Sequence, residues 1–544
     1  MGFKRAPSHG VRRRLISFAA PRWAGVCVLA LALAVAGCAV GPDYHRPDYK
    51  VPGQFGAATQ PSTQPSTQPT TQPVVVDLTR WWESFGDAQL NSLVERAVNS
   101  NLTVQVAELR LREARYQLQI SRSGLFPVAN ASGSYQHARF SKNGFYLPGS
   151  NNASGVGSSN ASRATGSGSG SGSSSSSGLA SAFNRTELDT WQAGFDASWE
   201  IDIFGGVRRE IEAARADEAA SLEARRDAMV TLLAEVARNY IDLRGAQLQL
   251  SIARENVRSQ QDTVELTRSR FAAGLNSDLD VARAEAQVAS TRSQIPVRET
   301  QIQQDIHRLS VLLAQPPNAL EEELIVQHPL PSAPPEVPIG LPSELLRRRP
   351  DVRQAERQLA AANARIGAAT ADLFPRFALT GGVGLAAGHP SDLFNSSSIY
   401  YSIGPQINWR IFDAGRIRAN VSVQTMREQE AMAQYQSTIL RSLEDVENAL
   451  VGYNEERQRW QFLREAVAAN RRAVDLAGQL YTKGLTDFLN VLEAQRNLFA
   501  SQDLMAQSEE TVSANVVALY KALGGGWESQ EQEEQAAKSE QAKR

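Results

Sequence analysis

The sequence predicts a mixed α/β membrane protein whose chain contributes two β-hairpins and two pairs of very long antiparallel helices. Three observations carry that reading. First, the chain repeats itself: Leu233, Val236, Tyr240 and Leu243 recur 210 residues later as Leu443, Val446, Leu450 and Tyr453. At the same offset Phe271 through Val281 recurs as Tyr481 through Val491, with Gly274 matched by Gly484. A period this long exceeds any solenoid unit and describes two copies of one structural half. Second, two segments alternate strictly: Trp191, Ala193, Phe195, Ala197, Trp199, Ile201 and Ile203 interleave with polar or small residues, as do Tyr401, Ile403, Pro405, Ile407, Trp409 and Ile411. That is the period of a strand with one apolar face. Third, 207–272 and 415–482 hold no proline and are rich in Arg, Glu, Gln and Ala with apolar residues at 3/4 spacing. At ~1.5 Å per residue each helix spans about 100 Å, too long for one globular core, so it must pack lengthwise on other helices.

In chain order, residues 1–37 read as a signal peptide: a basic region through Arg22, an apolar run from Trp23 to Ala36, then Val35-Ala36-Gly37-Cys38. These last four resemble the bacterial lipobox, which implies cleavage before Cys38 and acylation of its thiol. Ala39, not Asp, follows, which fits sorting to the outer membrane. The chain has two cysteines, Cys27 and Cys38, so the body beyond has neither a disulfide nor a thiol metal site available. No later apolar run reaches the ~18 residues of a membrane-spanning helix. Residues 38–78 are expected to form the lipid anchor and an extended tether, because 58–73 repeat Thr-Gln-Pro with nothing to bury.

The folded body should open near Trp81-Trp82. A first structural repeat spans 79–330 and a second 331–527, with a polar disordered tail over 528–544. Residues 87–122 read as one helix, stopped by Leu125-Phe126-Pro127; Leu373-Phe374-Pro375 echoes that stop. Strands follow at 126–137 and 375–385, each pairing with one of the alternating segments. The thirteen alternating residues from Trp191 span roughly 40 Å, enough to cross a bilayer while tilted. Trp191, Trp199, Tyr400, Tyr401 and Trp409 stand near the strand ends as candidate aromatic girdles. The first hairpin is longer by about the length of an Asn/Gly/Ser tract, so a loop over 138–188 holds an unstructured insertion. This loop is expected to face the cell exterior. The long helices turn at Gly274 and Gly484 and return over 278–314 and 487–523.

Net charge is −2; the first 37 residues hold six basic groups and no acid, so the remainder stands at −8 with its charges interspersed, against a nucleic-acid partner. Six scattered histidines offer no metal-ligand pair, the Gly/Ser tract lacks the lysine and context of a phosphate loop, and adjacent acids such as Glu444 and Asp445 sit on a charged helix. We find no catalytic residue, metal site or cofactor signature, hence no enzyme. Four strands cannot close a barrel, and open edges in lipid leave backbone groups unpaired, so several chains must combine. Three would give twelve strands.

Gly340-Leu-Pro-Ser-Glu-Leu-Leu-Arg-Arg-Arg-Pro-Asp351-Val-Arg-Gln-Ala-Glu356, Trp81-Trp82, the two glycine turns, Ala518 through Trp527 and Gly41-Pro42-Asp43-Tyr44 together resemble the TolC-like outer-membrane efflux proteins. The resemblance is to the acylated branch near the NodT and OprM lipoproteins, and it covers about 80–525. It implies a homotrimer with a twelve-stranded barrel in outer-membrane lipid and a twelve-helix periplasmic tunnel. Such a protein is a passive exit duct for small molecules. They are delivered by an inner-membrane pump, of the resistance–nodulation–division type, through a periplasmic adaptor (membrane fusion protein). A type I secretion duct and a coiled-coil envelope lipoprotein are the alternatives. The resemblance places adaptor docking at Gly274, Leu275, Ser277, Gly484, Leu485 and Thr486. It places the tunnel constriction at Asp280, Asp487, Asn490 and Glu493, with Arg283 beside Asp280. Residues 490 and 493 share a helix face. Asn490 stands where the family can carry an acid, which implies a weaker charged ring.

Overall fold

A computed structural model of the chain describes residues 39–56, 78–139, 187–334, 347–529 and 539. The expected lipidation site Cys38, the Thr-Gln-Pro tract and most of the 138–188 loop lie outside the described residues. In order come a short 3-10 helix Trp81–Phe85, then α1 (Ala88–Ser100), α2 (Leu102–Ser123), β1 (Val128–Arg139), β2 (Glu187–Ile201), α3 (Gly206–Ala272), α4 (Asp278–Leu312) and α5 (Glu321–Leu324). They are followed by α6 (Pro350–Ala371), β3 (Arg376–Ala387), β4 (Ile399–Asn408), α7 (Arg416–Thr482) and α8 (Phe488–Ala522). The repeat is metrically regular: α3 and α7 each have 67 residues, α4 and α8 each 35, α2 and α6 each 22.

The chain divides into two compact units. Unit 1 (residues through Pro42, Ile120–Ile211 and Arg365–Ser422) holds one antiparallel sheet in the order β1-β2-β3-β4. Both predicted hairpins form, and they join through β2 and β3. The aromatic rings of Phe204 and Phe374, from the two repeats, stack at 4.6 Å where the strands end. Residues just after Cys38 are tied down here: Val40 N donates to Phe204 O (3.1 Å), and Arg209 Nε donates to Val40 O (3.2 Å).

Unit 2 (Asp43–Gln119, Glu212–Ala364 and Val423–Arg544) is helical. Its main core gathers Leu233, Val236, Tyr240 and Leu243 with Val446, Leu450 and Tyr453, and Leu443 packs against it, so both copies of the repeated apolar pattern face one interior. Each fully buried Leu or Ile contributes about 1.5–3 kcal/mol there. Trp81, Trp82 and Phe85 are buried in the same core, and Trp81 stacks on Tyr520 at 5.1 Å.

Two expectations change. The helix read over 87–122 is two helices, because Asn101 is extended (ψ 127°) and its Oδ1 caps α2 by accepting from Thr103 N and Val104 N at 2.8 and 3.1 Å. Its amide also donates to Leu312 O at 2.8 Å, so the break is fixed by a tertiary bond that local propensity does not encode. Nor does the body open at Trp81. Phe55 is buried in the main core, Gly56 N donates to Glu447 Oε1 at 2.7 Å, Tyr44 Oη donates to Glu356 at 3.4 Å, and Arg46 pairs with the same Glu356. The Thr-Gln-Pro tract therefore lies between two docked segments of the chain.

Candidate functional site

The sheet of unit 1 has two faces of opposite chemistry, and register makes them. Across the four strands Ala131, Phe195, Val383 and Tyr401 lie in one row, and Ala129, Ala197, Gly381 and Ile403 in the next. Trp199, Leu379 and Pro405 follow, then Ile201, Phe377 and Ile407. On the opposite face Asn130, Asp196, Gly382 and Ser402 line up, as do Ser198, Thr380 and Gly404. Among the described residues nothing covers the apolar face: Phe195 is 67% exposed, Tyr401 82% and Ile403 78%. In water this would be a large loss of hydrophobic free energy; against lipid it is the expected surface.

Aromatic and polar groups bound that face at both ends. At one end Tyr135 and Trp191 meet with ring centroids 4.3 Å apart, and beyond them the face turns charged with His137–Asp189 and Arg139–Glu187. At the other, Trp199 Nε1 donates to Leu125 O (2.9 Å) and Trp409 Nε1 donates to Leu373 O (3.1 Å), the same bond in both repeats. Eight residues separate Trp191 from Trp199, about 27 Å along the strand, which matches the ~25 Å apolar band of an outer-membrane barrel. Two expected girdle residues do not stand at the ends: Tyr401 shares the row of Phe195, midway between Trp191 and Trp199, and Tyr400 leaves the apolar face. Tyr400 points to the polar face, since its neighbour Tyr401 takes the apolar one. There its hydroxyl accepts from Gln192 Nε2 at 2.8 Å, and its ring lies over Gly194 and Gly384, where an added Cβ would come within 3.2 and 2.8 Å of that hydroxyl.

Unit 2 carries the second site, the paired helix turns. Gly274 and Gly484 both have φ +74° with open space where a Cβ would sit, so the glycine serves the left-handed conformation alone. Both turns close identically: Leu275 N donates to Arg270 O and Leu485 N to Leu480 O, each at 2.9 Å, a Schellman reversal. Leu275 and Leu485 are left exposed at the two turns. Ser277 and Asp280 form a capping box that starts α4, and Arg283 stands 3.9 Å from Asp280. On α8 Asp487 occupies the N-cap position without a side-chain bond, Asn490 Nδ2 donates to Thr486 Oγ1 at 2.7 Å, and Glu493 is exposed. Asp280 thus has a local structural duty that its spacing from Ser277 encodes. Among the described residues no bond joins Asp280 to Asp487, Asn490 or Glu493.

Three residues to which the sequence reading gave no role join the turns. Arg270 lies over the Tyr481 ring at 4.7 Å and donates to Thr482 O at 3.2 Å, while Asn276 Nδ2 donates to Tyr481 Oη. Tyr481 also packs on Phe488 at 5.7 Å within a small core of Val264, Ala284, Val491 and Leu492. Arg270 and Asn276 belong to the first repeat and Tyr481 to the second, so the pairing breaks the pseudo-symmetry. Comparing the repeats at their differences, rather than their matches, would have exposed it.

A sheet with one lipid-compatible face, coupled in one chain to long helix hairpins, defines a subunit of an outer-membrane channel. The outer membrane efflux protein family model matches residues 93–315 and 341–525, and the chain belongs to that family. It is 30% identical over 498 residues to the cation efflux system protein CusC of Escherichia coli O6:H1, covering 92% of this chain and 98% of that one. It is 33% identical over 457 residues to the pyoverdine export outer membrane protein OpmQ of Pseudomonas aeruginosa, covering 84% and 89%. Among solved structures the outer-membrane channel OprN aligns with a TM-score of 0.77 at 34% identity, covering 90% of this chain and all of that one. The open state of the Neisseria gonorrhoeae MtrE channel aligns at 0.71 and 28% identity, covering 90% and 99%. The chain is an outer-membrane component of an efflux system.

Proposed function

We propose that three copies of this chain close a twelve-stranded barrel and a helical tunnel, forming the passive exit duct of a tripartite small-molecule export system. The observation that carries this reading is the four-stranded sheet, in which, among the described residues, the outer strands β1 and β4 each pair on one side only and the apolar face is bare. Neither edge is tolerable in lipid until another copy pairs with it. A second feature of unit 2 agrees: Leu102, Val106, Leu109 and Tyr116 make an exposed apolar stripe on α2 at coiled-coil spacing, which calls for a neighbouring helix. Small solutes as cargo are supported by relatives named for efflux of cations and export of pyoverdine.

In this proposal Cys38 is the acylated first mature residue. A periplasmic adaptor docks on the turns at Leu275, Ser277, Leu485 and Thr486, linking the duct to an inner-membrane pump of the resistance–nodulation–division type. Glu493, with Asp487 and Asn490 close by at the start of α8 and Asp280 at the equivalent turn of the first repeat, faces the axis, and three carboxylates in a narrow passage favour cations over anions. Single-channel recording in planar bilayers tests the core of the proposal: the full chain should conduct, and Glu493→Lys should move the reversal potential towards anion preference. A protein that never conducts would return the chain to an envelope spacer, whereas an unmoved reversal potential would remove Glu493 from the constriction.

A further inference from the structure

In unit 2, α8 is tied to α3 by polar rungs at seven-residue spacing on α3. Gln495 Nε2 donates to Thr263 Oγ1 (2.8 Å), Asn256 Nδ2 to Gln502 Oε1 (2.9 Å), and Gln249 Nε2 to Glu510 Oε2 (3.2 Å). The first two rungs are neutral and indifferent to pH. The third is not. Glu510 brings its carboxyl over Gly245, where a Cβ would come within 2.7 Å of Glu510 Cγ and closer still to the carboxyl, so mid-helix glycine makes the cradle that admits this group.

Around that cradle stand two more acids. The Asp242 carboxyl lies within hydrogen-bonding reach of Glu510, and two carboxyl groups can make such a bond only when one keeps its proton. Asp305 on α4, 6% exposed, is held on one oxygen by Gln301 Nε2 (2.9 Å), while its Oδ2 has no partner. Gln249, 4% exposed, likewise leaves Oε1 unpartnered beside the carboxyl it serves. Among the described residues the cation acting on Glu510 is Arg238, bound to Asp242 at 2.7 Å. Towards α7, the next residue along α8, Glu509, is itself pushed up by burial.

We propose that Glu510 keeps its proton and donates it to the Asp242 carboxyl, and that this hydrogen bond latches α8 onto the α3–α4 hairpin. With the proton in place the pair carries one charge, matched by Arg238. When it leaves to water, two adjacent carboxylates face each other with Asp305 behind them, and the rung at Gln249 opens while the two amide rungs hold. Burial, then the nearby Asp242 charge, pushes Glu510 up to about 8, so release occurs on the alkaline side of neutrality. The latch lies within one chain and stands whether or not the channel proposal does.

Hydrogen–deuterium exchange of the full-length protein in detergent tests it, comparing α8 peptides around Glu510 with those around Gln495 and Gln502 after correction for intrinsic rates. Between about pH 7 and about pH 9, protection around Glu510 should fall about tenfold, the factor one pKa unit of coupling carries, while the amide rungs hold. Glu510→Gln, neutral at every pH, should abolish that selective fall. It should also remove a protonated-carboxyl band from the infrared spectrum at neutral pH. Should this variant not assemble, Asp242→Asn leaves a single acid at the contact and should move the transition to lower pH. A wild-type protein without the selective loss, a Glu510→Gln variant that keeps it, or an unmoved midpoint in Asp242→Asn overturns the latch.

Discussion

Gly274 and Gly245 show how one residue type answers two different demands. Gly274 has φ +74° in open space, and Gly245 sits in a regular helix with a carboxyl packed against it. Replacing Gly274 or Gly484 by Ala should therefore cost about 1–2 kcal/mol per site through backbone strain, with Asn less harmful than Ala. Chemical denaturation of the purified protein checks both the size and the order. Arg270 makes a different point. Its guanidinium holds the Tyr481 ring and the Thr482 carbonyl, so Arg270→Ala should release the second turn from the first. Faster amide exchange over 481–486, with exchange in the main core unchanged, is the expected readout; unchanged exchange at the turn would show that Asn276 and the small apolar core suffice.

Among the elements, α2 depends most visibly on its surroundings. Its start is set by Asn101, which is buried, caps two amides and reaches Leu312 O on α4's last turn. Asn101→Ala leaves those groups without partners in a dry site and should cost about 1–3 kcal/mol, while Asn101→Asp should keep the cap but set a carboxylate oxygen against Leu312 O in place of the bond. Thermal unfolding of the two variants separates cap from tether. The very long helices are decided elsewhere. Their apolar residues form a narrow seam, and that seam, repeated in α3 and α7, meets residues of α1, α4, α8 and the Trp81–Phe85 turn in the core of unit 2.

At the scale of the molecule, the sheet's two faces make opposite predictions. Phe195→Lys or Ile403→Lys puts a charge on the lipid face, and should cost about 2–4 kcal/mol near the bilayer midplane, so the protein should be lost from the outer-membrane fraction. Ser402→Asp, one residue from Ile403 but on the polar face, should leave that fraction unchanged. The buried acids add a pH dependence with a definite sign. Burial holds Asp305 near 6 and Glu510 near 8, above their ordinary values. The folded chain then binds protons that the unfolded chain gives up, so these groups make stability fall as pH rises through the ordinary carboxylate range, up to about 6 for Asp305 and about 8 for Glu510. Melting temperature against pH should show that decline, with a flatter curve for Glu510→Gln.

The sequence by itself determined the architecture, because its evidence is periodic. Alternation at Trp191–Ile201 and Tyr401–Ile407, proline-free runs bounded by Gly274 and Gly484, and a 210-residue echo are local patterns that need no knowledge of neighbours. The seven-residue spacing of Gln249, Asn256 and Thr263 was equally legible, yet it reads as a solvated face until Glu510, Gln502 and Gln495 are brought opposite. What only the tertiary structure decided are the contacts between distant segments. It placed Tyr400 on the polar face across two glycines, split α1 from α2 at a bond to Leu312, and docked 39–56 onto the body. It also set one carboxyl against another in a cradle at Gly245. Such features depend on which groups meet at a few ångströms, and charge and hydrogen bonding at that range are settled by packing, not by the order of residues along the chain.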